Sequence, residues 1–297
     1  MERETLLSIL VMLLGGAVLQ PFASWRWKEP DGASPSDLER RSWLRLWYPV
    51  VPVLLVAAWL CGWALAEPDP VPDVTDRWIV VLACTPFALL FGRTAARAVW
   101  ALMRRPLDCG ISTIGLLQPQ VIFSPFLAKQ LDEGVIRAAL AHEHAHAANR
   151  DPLRIWIAQL ITDLQWPWPG AQLRLEAWLD ALELARDDEA RVNGADGAEL
   201  AAAVLASVRY LTRVTPQERA ASSGTQLAHA RLIGNSRALR VRVARLLAVR
   251  QEPRVRPGLI PTLRYAGVLL TCSLLAMLAL GLVFGERVMH PLLALTL

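Results

Sequence analysis

Lysine is almost missing from this chain: Lys28 and Lys129 are the only two among 31 basic residues. Cysteine is also scarce, with four in 297 residues, which excludes the disulfide-stapled scaffold of a small secreted protein. Cys61, Cys84, Cys109 and Cys272 form no metal-type pair, and the three in apolar runs read as small apolar residues. Charged residues make up only 20% against 54% hydrophobic, which excludes disorder. There is no internal repeat and no low-complexity linker. The net charge of +4 and pI near 9.2 would suggest a nucleic-acid partner. However, the arginines gather beside apolar runs, as they do in the cytoplasmic loops of membrane proteins, so direct nucleic-acid binding is not expected. With a mean hydropathy of +0.32, the partner implied is a lipid bilayer.

Four apolar runs carry that expectation: Thr5–Trp25, Leu46–Ala66, Trp78–Gly92 (continuing past Arg93 and Arg97 to Met103) and Tyr265–Gly285. About 20 helical residues cross the roughly 30 Å hydrocarbon core. The third run has a short strictly apolar stretch and spans only if Arg93 and Arg97 snorkel to the interface. The first run lacks a basic n-region and a clean cleavage site, so it reads as a retained helix rather than a signal peptide. The loop from Trp25 to Arg45 is basic, Glu67 to Arg77 is acidic, and arginines flank the segment between the third and fourth runs. The positive-inside rule then places the first loop and residues 104–263 in the cytoplasm, with both termini outside. Trp25, Trp27, Trp43, Trp47 and Trp78 read as an interfacial aromatic belt. The expected organisation is three spans in 1–103, a cytoplasmic domain in 104–263, and a fourth span with a short tail in 264–297.

Within the segment expected in the cytoplasm, Ile111–Gly115 and Gln120–Ser124 are β-prone and read as two short strands, close enough in sequence to pair as a hairpin. A helix follows, with Asp132 as N-cap, and ends at Asp151-Pro152. Further helices are expected over Trp156–Leu164, about 171–192, 198–213 and roughly 226–250. The fold class is mainly α with a small sheet ahead of the key helix.

Three of the five histidines fall within His142-Glu143-His144-Ala145-His146, an H-E-x-x-H motif. On a helix, positions i and i+4 share a face, so His142 and His146 are placed to ligate one Zn²⁺. A zinc ion acidifies its bound water, and Glu143, next to the first ligand, is placed to take the proton. His144 lies about 200° around the helix from His142 and reads as solvated. A catalytic zinc needs a third protein ligand and an open position. His229 is one possibility. Glu183 is better placed, one turn from Asp187 on the same face, although an acidic run of Glu183, Asp187, Asp188 and Glu189 also fits a solvated helix face. The arginines 237, 240, 242, 245 and 250 flank an apolar stripe of Leu239, Val243, Leu246 and Leu247. This suits a helix lying on anionic lipid or a solvated face near the membrane.

With these motifs in place, the sequence resembles the BlaR/MecR family of membrane zinc metallopeptidases, the antirepressor type. HEHAHAANRD at 142–151 is similar to that family's H-E-x-x-H followed by a basic-Asp element. ELARDDEA at 183–190 is similar to its glutamate-ligand helix, with Arg186 where cysteine is common, a change not expected to touch metal binding. The resemblance implies a polytopic four-span protein of a bacterial cytoplasmic membrane with a zincin-like (gluzincin) domain facing the cytoplasm. It further implies one zinc per chain on His142, His146 and Glu183, Glu143 as general base, and Asp151 and Asp187 behind the ligands. The family's receptors carry a penicillin-binding sensor after the fourth span. Here only Glu286–Leu297 follow, so β-lactam sensing is not expected and a separate sensor partner would be required.

The activity so implied is endoproteolysis of a cytoplasmic or membrane-proximal protein, such as a transcriptional repressor or the chain itself. The strand at 120–124, with Val121 and Phe123, is a candidate substrate-binding strand by β-addition. No second oxyanion donor is evident beyond His229. Competing readings are a housekeeping membrane protease of the HtpX or CAAX-processing type and a non-proteolytic, zinc-bearing membrane signalling scaffold.

Overall fold

A computed structural model describes residues 20–21, 33–66, 77–103, 111–123, 129–165, 168–213, 236–248 and 260–294. The first apolar run up to residue 19, the acidic loop 67–76, Cys109, His229 and the basic stretch 250–256 lie outside the described residues. The chain is mainly helical. Among the described residues the order is α1 (Pro35–Trp47), α2 (Val51–Ala66), α3 (Arg77–Met103), β1 (Ile111–Ile114), β2 (Gln120–Phe123), α4 (Glu133–Ala148), α5 (Asp151–Leu164), α6 (Pro169–Val192), α7 (Gly197–Arg213), α8 (Ser236–Leu247) and α9 (Ile260–Ala294).

Among the described residues, two helical stretches are long and apolar enough to cross a membrane: Pro35–Trp63, in which α1 turns at 48–50 into α2, and Gly267–Val288 within α9. α2 and α9 pack along each other through glycines. A Cβ on Gly62 would strike the Leu278 carbonyl, and one on Gly281 would strike the Trp59 carbonyl. Gly281 and Gly285 form a G-x-x-x-G pair, which lets helix backbones approach closely in an apolar medium. The outer side of α9 is a row of exposed apolar residues, among them Leu269, Leu275, Val283 and Phe284.

The third apolar run is one 27-residue helix. Its arginines do more than snorkel: Arg97 Nε donates to Asp163 Oδ2 at 2.9 Å and Arg93 Nη1 lies 3.6 Å from Asp163 Oδ1, tying α3 to α5. α1 shares a core with α5 and α6, made of Trp43, Leu46, Ile155, Ala158, Leu175, Trp178, Leu179 and Leu182. Trp43 is therefore not part of an interfacial belt. It is buried against Trp178 at 4.9 Å between ring centroids, with the Arg154 guanidinium 5.2 Å above its ring.

The two strands pair antiparallel, Ile111 opposite Phe123 and Ile114 opposite Gln120, closed by a turn with Gly115 at φ +93°. Asp132 is the N-cap residue of α4, but its side chain makes no capping hydrogen bond. α4 stops at Ala148, where Asn149 Nδ2 donates to the Ala145 carbonyl and Arg150 turns left-handed at φ 51°. α5 then starts at Asp151, five residues earlier than the sequence suggests. Pro152 sits in its first turn, where a missing N–H and a fixed φ cost nothing, so this proline begins a helix as well as closing the previous one. Pro169 opens α6 in the same way. A second small-residue core joins α4, α6, α7 and α8 through Ala138, Ala190, Leu200, Ala201, Val204 and Leu246.

Candidate metal centre

α4 and α6 cross so that His142, His146 and Glu183 meet, and one ligand atom from each lies within 4.8 Å of the others. His142 Nε2 and His146 Nε2 are 3.1 Å apart. Glu183 Oε2 is 3.5 Å from the first and Oε1 is 3.6 Å from the second. All three residues are buried, and Glu183 Oε1 has no hydrogen-bond partner. A buried, unsatisfied carboxylate oxygen facing two imidazole nitrogens is costly unless a cation joins them.

Each histidine is backed by the aspartate expected from the sequence. His146 Nδ1 and Asp151 Oδ2 are hydrogen-bonded at 2.9 Å. His142 Nδ1 lies 3.0 Å from Asp187 Oδ1, an ion-pair approach that is off hydrogen-bond direction. Such carboxylates fix the ring so that Nε2 faces the metal position. Each aspartate is held by arginine in turn. Asp151, fully buried, accepts from Arg186 Nε and Nη2 and from Arg154 Nη1, and Arg154 reaches on to Glu39 of α1. Asp187 is gripped by Arg242 of α8, whose Nε donates to Oδ2 at 2.6 Å and Nη2 to Oδ1 at 2.7 Å. Two predicted assignments change here. Arg186 does bear on the centre, because it holds the carboxylate that holds His146. Arg242 is neither on lipid nor solvated. It is buried, with Nη1 donating to Glu183 Oε2 at 2.8 Å and Nη2 3.3 Å from His142 Nε2.

Glu143 is buried beside His142, and the Thr113 hydroxyl of β1 sits 2.7 Å from its Oε2 and 2.9 Å from its backbone carbonyl. His142, Glu143 and Arg242 line a small, partly open cleft whose other walls are mostly apolar, including Ile111, Leu200 and Val204. His144 is exposed, as its helical position requires. Val121 and Phe123 pack inward on Ile111, Ala139 and Ala203, and neither is among the residues lining the cleft.

The electrostatics favour a dication. Glu143, Glu183 and Asp187 are buried carboxylates, and Arg242 is the buried cation set among them, which leaves a formal charge of two minus. Around Asp151 the charges already balance, with Glu39 and Asp151 set against Arg154 and Arg186. Without a metal, a proton on His142 supplies part of the missing charge. Burial opposes it, but the Asp187 and Glu183 carboxylates outweigh burial and raise the pKa to about 9. Burial likewise disfavours a charged Glu183, yet the Arg242 charge and the two histidines hold its pKa well below the usual range.

Sequence reasoning missed Arg242, Thr113, Glu39 and Arg154. Arg242 and Arg245 were visible as two arginines one helical turn apart, and they meet Asp187 and Asp188, with Arg245 Nη2 donating to Asp188 at 2.8 Å. Nothing in the sequence ties helices 55 residues apart. Comparison with protein-family models, with curated proteins and with solved structures gave no match.

Proposed function

We propose that this chain is an integral-membrane, zinc-dependent endopeptidase acting on a cytoplasmic or membrane-proximal protein within a regulatory pathway. One observation carries the reading: the two motif histidines and Glu183 converge from two helices, with Glu143 beside them at the wall of a small, partly open cleft. Two imidazoles and one carboxylate are the donor set of a catalytic zinc, which keeps a position open. When bound, zinc would supply Lewis acidity toward a carbonyl and acidify water.

The chain's own residues account for the remaining chemistry. Glu143 takes a proton from the attacking water as its oxygen adds to the peptide carbonyl carbon. It passes that proton to the amine as the C–N bond breaks. Thr113 fixes the Glu143 carboxylate for both transfers. Asp151 and Asp187 keep the histidine Nε2 atoms turned to the metal.

The wider architecture belongs to the same proposal. The resemblance to BlaR/MecR metallopeptidases and the distribution of arginine support four spans, a gluzincin-type domain facing the cytoplasm of a bacterial cell, and both termini outside. The resemblance also supports a repressor, or the chain itself, as substrate.

The test compares wild type with Glu143→Gln in nanodiscs, with zinc content and cleavage products followed by mass spectrometry. One zinc in each, with cleavage in wild type and a loss of at least about 100-fold in the variant, is the expected result. Equal zinc with equal cleavage would reject Glu143 as the base. Zinc in both with no cleavage in either would favour the zinc-bearing scaffold.

A further inference from the structure

Arg242 makes more contacts at the centre than a brace for Asp187 needs. Its Nε and one Nη2 hydrogen form a fork on Asp187, and this fork fixes the plane of the guanidinium. One Nη1 hydrogen is given to Glu183 Oε2. Nη2 also stands 3.3 Å from His142 Nε2, the atom that would bind the metal. An Nε2 given to a metal has no lone pair to offer, so the Arg242 N–H that faces it is available to another acceptor. Arg242 lines the same cleft as Glu143.

We propose that Arg242 is a catalytic residue of the peptidase reaction, the hydrogen-bond donor to the oxyanion that forms when water adds to the scissile carbonyl. The proposal rests on the peptidase reading above. The electron pair of the C=O bond moves onto that oxygen as the water oxygen adds, and it returns when the C–N bond breaks. A fully buried guanidinium anchored on Asp187 meets that charge without reorganising, which is the condition under which such donors are most effective. The carboxylates of Asp187, Glu183 and Glu143 make room for a fixed cation beside a dication.

The experiment uses the full chain in nanodiscs, β-casein as an unfolded substrate, and phosphoramidon as a tetrahedral oxyanion mimic, with Leu-Trp as its counterpart lacking the phosphoryl group. Arg242→Lys keeps the charge but loses the fork. Arg245→Gln, on the same helix and outside the cleft, controls for α8 docking. In Arg242→Lys the expected outcome is one zinc per chain and a KM within about threefold of wild type. Its kcat falls about 100- to 1000-fold. Its phosphoramidon affinity falls in parallel while that for Leu-Trp is unchanged, and Arg245→Gln behaves as wild type. A zinc-loaded Arg242→Lys with unchanged kcat and unchanged phosphoramidon affinity would overturn the assignment. Loss of zinc from Arg242→Lys would overturn it too, reducing Arg242 to a positioning residue acting through Asp187. A zinc-loaded wild type that neither cleaves nor prefers phosphoramidon to Leu-Trp would reject the peptidase reading itself, and the role of Arg242 with it.

Discussion

At the scale of single residues, the candidate centre is built in matched chains, motif histidine to aspartate to arginine. The chain through His146 is the more deeply committed, because Asp151 is fully buried and serves His146, Arg186 and Arg154 at once. Asp151→Asn keeps the shape but removes the charge and turns an N–H₂ toward guanidinium donors. The two arginines are then left with Glu39 alone as a buried counter-charge. Breaking one side of such a buried pair costs about 3–5 kcal/mol. His146 also loses its Nδ1 partner, which corresponds to a fall of about 10- to 100-fold in zinc affinity. Thermal unfolding and competition with a zinc chelator measure the two effects separately. A lowered melting temperature with unchanged zinc affinity would show that another group orients His146. The pairing of His142 with His146 was legible in the sequence because H-E-x-x-H is local, with both histidines on one helix face. Spacing alone left Glu183 open beside His229 and a solvated acidic face, and it was the family resemblance that singled it out. Arg242 was not legible, since an arginine beside apolar residues reads as a membrane-facing helix until its distant partner is known.

At the scale of elements, local rules placed the strands, α4, α6 and α7 nearly where they form, because apolar periodicity and helix-ending asparagines and glycines act within a few residues. They misjudged α5, where Pro152 begins a helix, and α1, whose Trp43 looked interfacial but completes a core with α6. The α2–α9 pair is the clearest case in which one atom decides packing. With no carbon at Gly62 and Gly281, each helix backbone lies against the other's carbonyls. Gly281→Val must push α9 away from Trp59, and overpacking of this kind costs about 1–3 kcal/mol. Gly267→Val, on the same helix where a Cβ meets nothing, is the control. Thermal unfolding in detergent is expected to show a lower midpoint for Gly281→Val and no change for Gly267→Val. Equal midpoints would mean that the two helices do not rely on this contact.

At the scale of the whole molecule, the centre is joined to the apolar helices by charge. Asp163 of α5, on the helix that begins with Asp151, receives Arg97 and Arg93 of α3. In the proposed topology, this pair of arginines sets that end of α3 on the same side of the membrane as the domain of the candidate centre, the side that the positive-inside rule assigns to the cytoplasm. The scarcity of lysine turns this into a direct measurement. The side-chain amines in this sequence are Lys28 and Lys129. Lys129 is exposed, just ahead of α4, and both lysines fall in segments expected on the cytoplasmic face. A membrane-impermeant N-hydroxysuccinimide ester added to sealed right-side-out vesicles should therefore spare both lysines. In inverted vesicles it should modify both. Peptide mapping by mass spectrometry reads the two sites in one digest. Labelling of Lys129 from outside would turn the domain over and remove cytoplasmic proteins from the possible substrates. Labelling of Lys28 and Lys129 from opposite sides would require an odd number of spans between them, in place of the second and third spans assigned to 46–103.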